Sequence, residues 1–131
     1  MIVLDASAAV ELVLNTEQGT LVAQRLSGDV TAHAPQLLPI EVAQVLRRLV
    51  ATDAVTARRA ALALDDLTDL GVELYDHDVL VTRVWQLRAN LTAYDAAYVA
   101  LAEALGAPLV TFDQGLARAP GNRAAIEVPG R

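Results

Sequence analysis

The sequence predicts an α/β fold, an open parallel sheet flanked by helices on both faces. Short apolar runs have the composition of strands that are buried on both sides. One or two segments of helical periodicity separate successive runs, and residues typical of tight hairpins are scarce between them. The 131 residues contain no repeat, linker or low-complexity tract. We therefore expect a single domain that spans residues 1–131.

Five strands are predicted from these runs. Pro35 closes the second run, because proline cannot donate a backbone hydrogen bond. A Gly-Ala-Pro sequence at 106–108 breaks the chain before the fourth run. The predicted strands cover residues 2–5, 29–34 and 72–76, a run that ends at Asp113, and residues 124–128.

Helical periodicity fills the intervals between the strands. Ser7 is expected to cap the first helix, and Pro39 suits the first turn of the third. The predicted helices cover residues 8–14, 16–26, 40–51, 56–70 and 77–90, followed by an apolar helix that Asp95 opens and Gly106 ends, and a short turn at 114–118.

The composition excludes several classes of chemistry. There is no cysteine, so disulfides, thiolate metal sites and cysteine nucleophiles are ruled out. All 10 basic residues are arginine, which removes P-loop and Schiff-base lysines. The net charge of −6 argues against broad attraction to nucleic acid, although bound cations can mask acids locally. With no signal peptide and no apolar run of roughly 18 residues, we expect a cytoplasmic protein without a membrane partner.

Four acidic residues stand where strands end or helices begin. Asp5 ends the first strand and Asp113 ends the fourth. Asp95 opens the apolar helix, and Glu41 lies in the first turn of the helix after the second strand. In open parallel sheets, ligands bind beyond the carboxyl ends of the strands. We therefore expect these four carboxylates to meet at one edge of the sheet.

Each of these acids also has a structural explanation. Asp5 can cap the first helix, and Thr92 and Asp95 have the spacing of a capping box. Glu41 is favoured by the dipole at a helix start, and Asp113 can begin a turn. A shared chemical role explains the four acids together better than these separate structural explanations do. Glu41 has apolar sequence neighbours, and a buried carboxylate needs a partner. Carboxylate oxygens favour Mg²⁺ or Mn²⁺ over softer metals.

The remaining polar and aromatic residues indicate no competing chemistry. His33 and His77 are isolated, so we expect them to be structural or on the surface. No nucleophile elbow or glycine-rich phosphate loop occurs. We expect Trp85, Tyr94 and Tyr98 to lie in the core rather than to stack on nucleic-acid bases.

The chain resembles the PIN-domain family, and in particular the VapC-type toxin ribonucleases of bacterial toxin–antitoxin pairs. The likeness begins with IVLDASA and continues through Pro39-x-Glu41 and the VLRRL that follows. It is most specific in the segment YDAAYVALAEALGAPLVTFDQGL. The likeness extends from end to end, so the PIN-like fold is expected for the whole chain.

This resemblance assigns roles to the acids and to two hydroxyls. Ser7 and Thr111 match hydroxyl positions that orient the acids, whereas Gln44 stands where many relatives have asparagine. The family's acidic quartet is matched by Asp5, Glu41, Asp95 and Asp113.

The resemblance implies a Mg²⁺- or Mn²⁺-dependent endoribonuclease that hydrolyses phosphodiester bonds of structured RNA, such as tRNA or ribosomal RNA. Asp5, Asp95 and Asp113 are then direct or water-mediated metal ligands. Glu41 is a ligand of a second metal ion or the group that orients the attacking water. A homodimer is implied as well, neutralised by a small cognate VapB-type antitoxin.

Two other functions compete with this hypothesis. A catalytically silent PIN domain would act as a binding or regulatory subunit with its antitoxin, and the complete acidic quartet argues against it. A phosphatase of another α/β family would need a lysine and a D-x-D motif after the first strand, and the sequence has neither.

Overall fold

The computed structural model describes residues 1–131 and contains one sheet of five parallel strands. Each strand lies at its predicted place and is shorter than the predicted run. Pro35 is the last residue of the second strand rather than the residue that follows it. The strands are β1 (Ile2–Leu4), β2 (Ala32–Pro35), β3 (Glu73–Tyr75), β4 (Leu109–Val110) and β5 (Ile126–Glu127).

The strand order across the sheet is β3-β2-β1-β4-β5, which puts β1 at the centre. Val3 of β1 is paired with His33 on one side and with Leu109 on the other. The chain runs outward from β1 through β2 to β3 and then crosses to the opposite side for β4 and β5. The direction therefore reverses between β1 and β4, and such a switch point opens a crevice at the carboxyl ends of the strands.

Helices cover both faces of the sheet, as predicted. Val3 belongs to the larger hydrophobic cluster, whereas Ile2 and Leu4 pack with Val22 in a smaller one. Successive strand residues point to opposite faces, so these two clusters lie on the two sides of the sheet. The helices are α1 (Ala6–Val13), α2 (Glu17–Arg25), α3 (Leu38–Ala51), α4 (Ala57–Asp69), α5 (Val81–Gln86), α6 (Ala93–Leu105) and α7 (Gln114–Arg118).

The first helix begins earlier than predicted, and Asp5 rather than Ser7 caps it. Asp5 has extended backbone angles, φ −88° and ψ 176°, and its carboxylate accepts the Ala8 N–H at 3.0 Å. Ser7 lies inside the first turn. The helix starts directly at the end of the strand. The side chain of Asp5, rather than that of Ser7, therefore accepts a hydrogen bond from a free N–H of the first helical turn.

The predicted helix over residues 77–90 is too long. Only α5 is α-helical, and turns flank it on both sides. The Leu80 N–H donates to the His77 carbonyl at 2.8 Å, and the Asn90 N–H donates to the Leu87 carbonyl at 3.2 Å. Both bonds have the three-residue spacing of a 3₁₀ turn, which places apolar residues at intervals similar to those of an α-helix.

Helix α6 ends at Gly106, as predicted, and begins at Ala93, two residues before Asp95. The Thr92 hydroxyl accepts the Asp95 N–H at 3.2 Å, as in a capping box, and Gly106 closes the helix at a left-handed φ of 61°. Buried residues run without interruption from Ala96 to Ala102. Four of these seven are alanines, which let the helix pack closely on the sheet. No helix of the protein is long and apolar enough to cross a membrane.

The expectation that Trp85 and Tyr94 lie in the core is wrong, since each is 66% exposed. The short helix α5 buries none of its residues, and Tyr94 stands in the N-terminal turn of α6, ahead of the buried stretch. Tyr98 is buried, as predicted. His33 is buried too, between the Thr31 hydroxyl at 2.7 Å and the Tyr75 hydroxyl at 2.8 Å, which fits a structural role.

Candidate active site

The Asp5 carboxylate is buried at the carboxyl end of the central strand β1, where its position is fixed by several donors. Its Oδ1 accepts from the Ser7 hydroxyl at 2.6 Å and from the Ala8 N–H at 3.0 Å. Its Oδ2 accepts from the Thr111 hydroxyl. A carboxylate offers about four acceptor positions, so Asp5 keeps one for another ligand although only 6% of the residue is exposed.

The two hydroxyls join the end of β1 to the segment after β4. Ser7 Oγ accepts the Phe112 N–H at 2.9 Å, and Thr111 Oγ1 accepts the Asp113 N–H at 2.9 Å. The hydroxyl oxygens lie 3.3 Å apart. The network therefore connects Asp5 to the backbone of Asp113 across the β1–β4 switch point. Both hydroxyls contact Asp5, one of the four acids beside which the family resemblance places them.

Asp113 opens helix α7, at the segment that the sequence predicted as a turn. Its Oδ1 accepts the Gly115 N–H at 2.8 Å and the Leu116 N–H at 3.2 Å. Its Oδ2 accepts no hydrogen bond from the protein. Asp113 is the exposed member of the acidic set. One oxygen therefore anchors the helix start, and the other faces no protein donor.

Glu41 enters the site from the first turn of α3 and is held by a tyrosine of α6. The Tyr98 hydroxyl donates to Glu41 Oε1 at 2.7 Å, across 57 residues of sequence. Glu41 Oε2 accepts no hydrogen bond from the protein. The ring of Tyr98 is 1% exposed, so the donor is fixed by the core.

The charges of the four carboxylates act on one another. Burial raises the pKa of Asp5, Glu41 and Asp95, and negative neighbours raise each pKa further. The charge of Asp95 acts on both Asp5 and Glu41, and that of Asp113 acts on Asp95. Hydrogen bonds from Ser7, Thr111 and Ala8 partly offset the effect on the Asp5 pKa. Burial and the adjacent Glu41 also raise the pKa of Tyr98, so its hydroxyl stays a donor.

No basic side chain neutralises this cluster. The ion pairs of the protein join Arg25 to Glu127, His33 to Glu73 and Arg83 to Glu103, and none of them includes one of the four site acids. Partly buried carboxylates that lack a cationic partner are costly. The four carboxylates therefore favour the binding of a cation.

The four carboxylates are the type of ligand that a hard divalent cation prefers. All four candidate ligands are oxygen donors, and each retains at least one oxygen position without a protein donor. In the present side-chain positions, no three acidic or histidine side chains are grouped closely enough to ligate one ion directly. Mg²⁺ commonly takes only one or two protein carboxylates and keeps several waters, and a site of that kind matches this spacing.

Sequence reasoning missed the contact of Tyr98 with Glu41. We assigned Tyr98 to the core, which is correct, and considered no polar role for its hydroxyl. The available signal was its position three residues after Asp95, because residues at that spacing share one face of a helix. Gln44, by contrast, is exposed and makes no side-chain hydrogen bond.

Comparison with known proteins agrees with this fold. The PIN domain profile matches residues 2–122. The chain is 43% identical over 128 residues to Ribonuclease VapC12 of Mycobacterium tuberculosis, which covers 98% of both chains. Among solved structures, it superposes on PAE2754 from Pyrobaculum aerophilum with a TM-score of 0.69 at 22% identity, covering 95% of this chain and 81% of that one.

A second structure is similar at the level of fold. Mycobacterium tuberculosis VapC20, described as a toxin that cleaves the sarcin–ricin loop, superposes with a TM-score of 0.66 at 17% identity, covering 89% of this chain and 93% of that one. The profile match and the near-complete alignment to VapC12 settle the family that the motifs indicated. The chain belongs to the PIN-domain family and, within it, to the VapC-type toxins.

Proposed function

We propose that this protein is a Mg²⁺- or Mn²⁺-dependent endoribonuclease toxin that cleaves structured RNA, such as tRNA or ribosomal RNA. The observation that carries the proposal is the cluster of four carboxylates at the β1–β4 switch point, three of them with raised pKa values and none with a basic partner. The names of the relatives support the reaction class, since VapC12 is a ribonuclease and VapC20 cleaves the sarcin–ricin loop.

The residues of the site have different roles in the proposed phosphodiester hydrolysis. A bound divalent cation would supply a water of lowered pKa and would stabilise the charge that builds on the phosphate. Asp5, Asp95 and Asp113 hold the ion directly or through water, and Ser7 and Thr111 keep the Asp5 carboxylate rigid. Glu41 holds a second ion or orients the attacking water. In-line attack of that water on phosphorus would break the bond to the 3′-oxygen and would leave a 5′-phosphate and a 3′-hydroxyl.

Partners follow from the same proposal. A small VapB-type antitoxin would neutralise the toxin, and an arginine from it would pair well with these uncompensated acids. A homodimer is supported by large apolar side chains that are exposed on and beside α5, namely Val79 at 78%, Val81 at 57% and Trp85 at 66%. Exposed apolar patches mark protein interfaces. We place the protein in the cytoplasm, where its RNA substrate is.

RNA cleavage by acid variants tests the proposal. Asp5→Asn and Asp95→Asn should each lower the cleavage rate by at least about 100-fold, because a lost metal ligand removes several kcal/mol of transition-state stabilisation. Asp65→Asn on the exposed surface of α4 is the matched control and should cleave as the wild type does. EDTA should abolish the wild-type activity, and excess Mn²⁺ should restore it.

Two results would contradict the proposal. Cleavage by Asp5→Asn and Asp95→Asn at the wild-type rate would show that these acids do not form the active site. A wild-type protein that folds, binds its antitoxin and cleaves no RNA at any Mn²⁺ concentration would instead be a silent binding subunit.

A further inference from the structure

Tyr98 is the residue of α6 that joins the hydrophobic core to the acid cluster. Its side chain is 1% exposed and belongs to the main core cluster. It lies three residues after Asp95, so one face of α6 presents both a candidate metal ligand and the phenol. The charges of Glu41, Asp5 and Asp95 all act on this hydroxyl. It therefore lies among the site acids rather than behind them.

The Tyr98 hydroxyl is the one protein hydrogen-bond donor to the Glu41 carboxylate. The bond is 2.7 Å long and ends on Oε1, and Oε2 has no protein partner. A glutamate side chain loses rotamer freedom when it is held in one position. Here a rigid ring, itself fixed by the core, holds one oxygen and leaves the other free for a ligand.

Packing alone does not account for this hydroxyl. A phenylalanine would fill the same core volume without burying a polar group, and burying a hydroxyl without a good partner costs free energy. A charged acceptor strengthens such a bond. Asp5 receives its three donors from the backbone and from Ser7 and Thr111, whereas Glu41 depends on this single contact.

We propose that Tyr98 is a positioning residue that fixes Glu41, through the Oε1 hydrogen bond, as a ligand of the divalent cation. The proposal rests on the proposed function and deepens it, since it assigns to Glu41 the metal-holding role and names the side chain that enforces its position. Groups that orient metal ligands contribute strongly to metal affinity and activity.

Tyr98→Phe tests this role, and Tyr75→Phe is the matched control. Tyr75 also has a hydroxyl bonded to another side chain, His33 at 2.8 Å, but lies outside the acid cluster. Calorimetric titration with Mn²⁺ should show about 10- to 100-fold weaker binding for Tyr98→Phe and wild-type affinity for Tyr75→Phe. The kcat of RNA cleavage should fall by a similar factor, with the KM for RNA unchanged.

A double variant shows whether Tyr98 acts through Glu41. Glu41→Gln should itself weaken Mn²⁺ binding, and adding Tyr98→Phe to it should weaken binding no further, because the two changes remove one interaction. Melting curves without metal confirm that each variant is folded.

The outcomes separate this inference from the proposed function. If Tyr98→Phe binds Mn²⁺ as tightly as Tyr75→Phe does, or if its effect adds fully to that of Glu41→Gln, the positioning role is overturned while the metal-dependent site stands. If the wild-type protein takes up no Mn²⁺ that depends on Asp5 or Asp95, both proposals fail.

Discussion

At the scale of single residues, capping and chemistry are combined in the same acids. Asp5 caps α1, Asp113 caps α7, and the Asp95 backbone receives the cap of α6. A side chain that is held rigid by local hydrogen bonds is also a well-oriented ligand. The structural explanations that the sequence allowed for these acids are therefore correct for Asp5 and Asp113, and they support the proposed chemistry instead of replacing it.

The raised pKa of Asp95 has a consequence for stability. The folded protein binds this proton more tightly than the unfolded chain does, so the group contributes stability at low pH. That contribution is lost as the pH rises from the ordinary pKa of 3.8 through the raised folded value. At neutral pH and without metal, the charged Asp95 therefore destabilises the fold.

Asp95→Asn should accordingly stabilise the metal-free protein at pH 7. We expect its melting temperature in EDTA to exceed that of the wild type, at roughly 4 °C for each kcal/mol of stabilisation in a domain near this size. The difference should shrink as the pH is lowered toward 3.8. Calorimetric scans across this range measure it. A lower melting temperature for Asp95→Asn at pH 7 would mean that its charge does not destabilise the fold.

At the scale of elements, α1 and α2 form a tightly packed pair whose close contact lies in the last turn of α1. Gly19 of α2 is buried against α1. A Cβ built on it would lie 2.0 Å from the Glu11 carbonyl oxygen and 2.6 Å from the carbonyl carbon. Backbone atoms cannot yield as a flexible side chain can. The close approach of the two helices therefore requires glycine at this position.

Gly19→Ala should destabilise the protein although alanine is the better helix former. Helix propensity alone would stabilise the variant by up to about 1 kcal/mol, whereas overpacking against the α1 backbone costs about 1–3 kcal/mol. Urea denaturation should show a net loss. Gln18→Ala, at the exposed neighbouring position, is the control and should stay within about 0.5 kcal/mol of the wild type. A more stable Gly19→Ala would show that α2 moves away from α1 at no cost.

The limits of helices were predicted well where a capping residue or a glycine marks the end of the helix. They were predicted poorly where no such residue is present. Thr92 and Gly106 mark both ends of α6; its predicted end is correct, and its predicted start lies two residues late. Residues 77–90 carry an apolar repeat without a capping side chain, and most of that window forms turns. The exposure of Trp85 could not be predicted for the same reason. It belongs to α5, which is too short for the sequence to distinguish an apolar side of the helix from a polar one.

At the scale of the whole molecule, strand order decides which acids meet. The sequence predicted Asp5 and Asp113 at the carboxyl ends of parallel strands and Glu41 and Asp95 at the starts of helices, and the four acids follow β1 and β4 or lie in the first turns of α3 and α6. It contained no signal for the order β3-β2-β1-β4-β5, which puts Asp5 and Asp113 just beyond the ends of two neighbouring strands. The bond between Tyr98 and Glu41 could not be predicted either, because it spans 57 residues and depends on how α3 and α6 pack. Long-range packing, not local pattern, assembles the site.

Anomalous diffraction from crystals grown with Mn²⁺ tests the metal site most directly. We predict an anomalous peak at the carboxyl ends of β1 and β4, with carboxylate oxygens of Asp5, Asp95 or Asp113 at about 2.0–2.6 Å or joined to the ion through water. The same peak should be missing from Asp95→Asn crystals. A peak elsewhere on the molecule, or a peak that persists unchanged in Asp95→Asn, would contradict the assignment of these four acids to a catalytic metal centre.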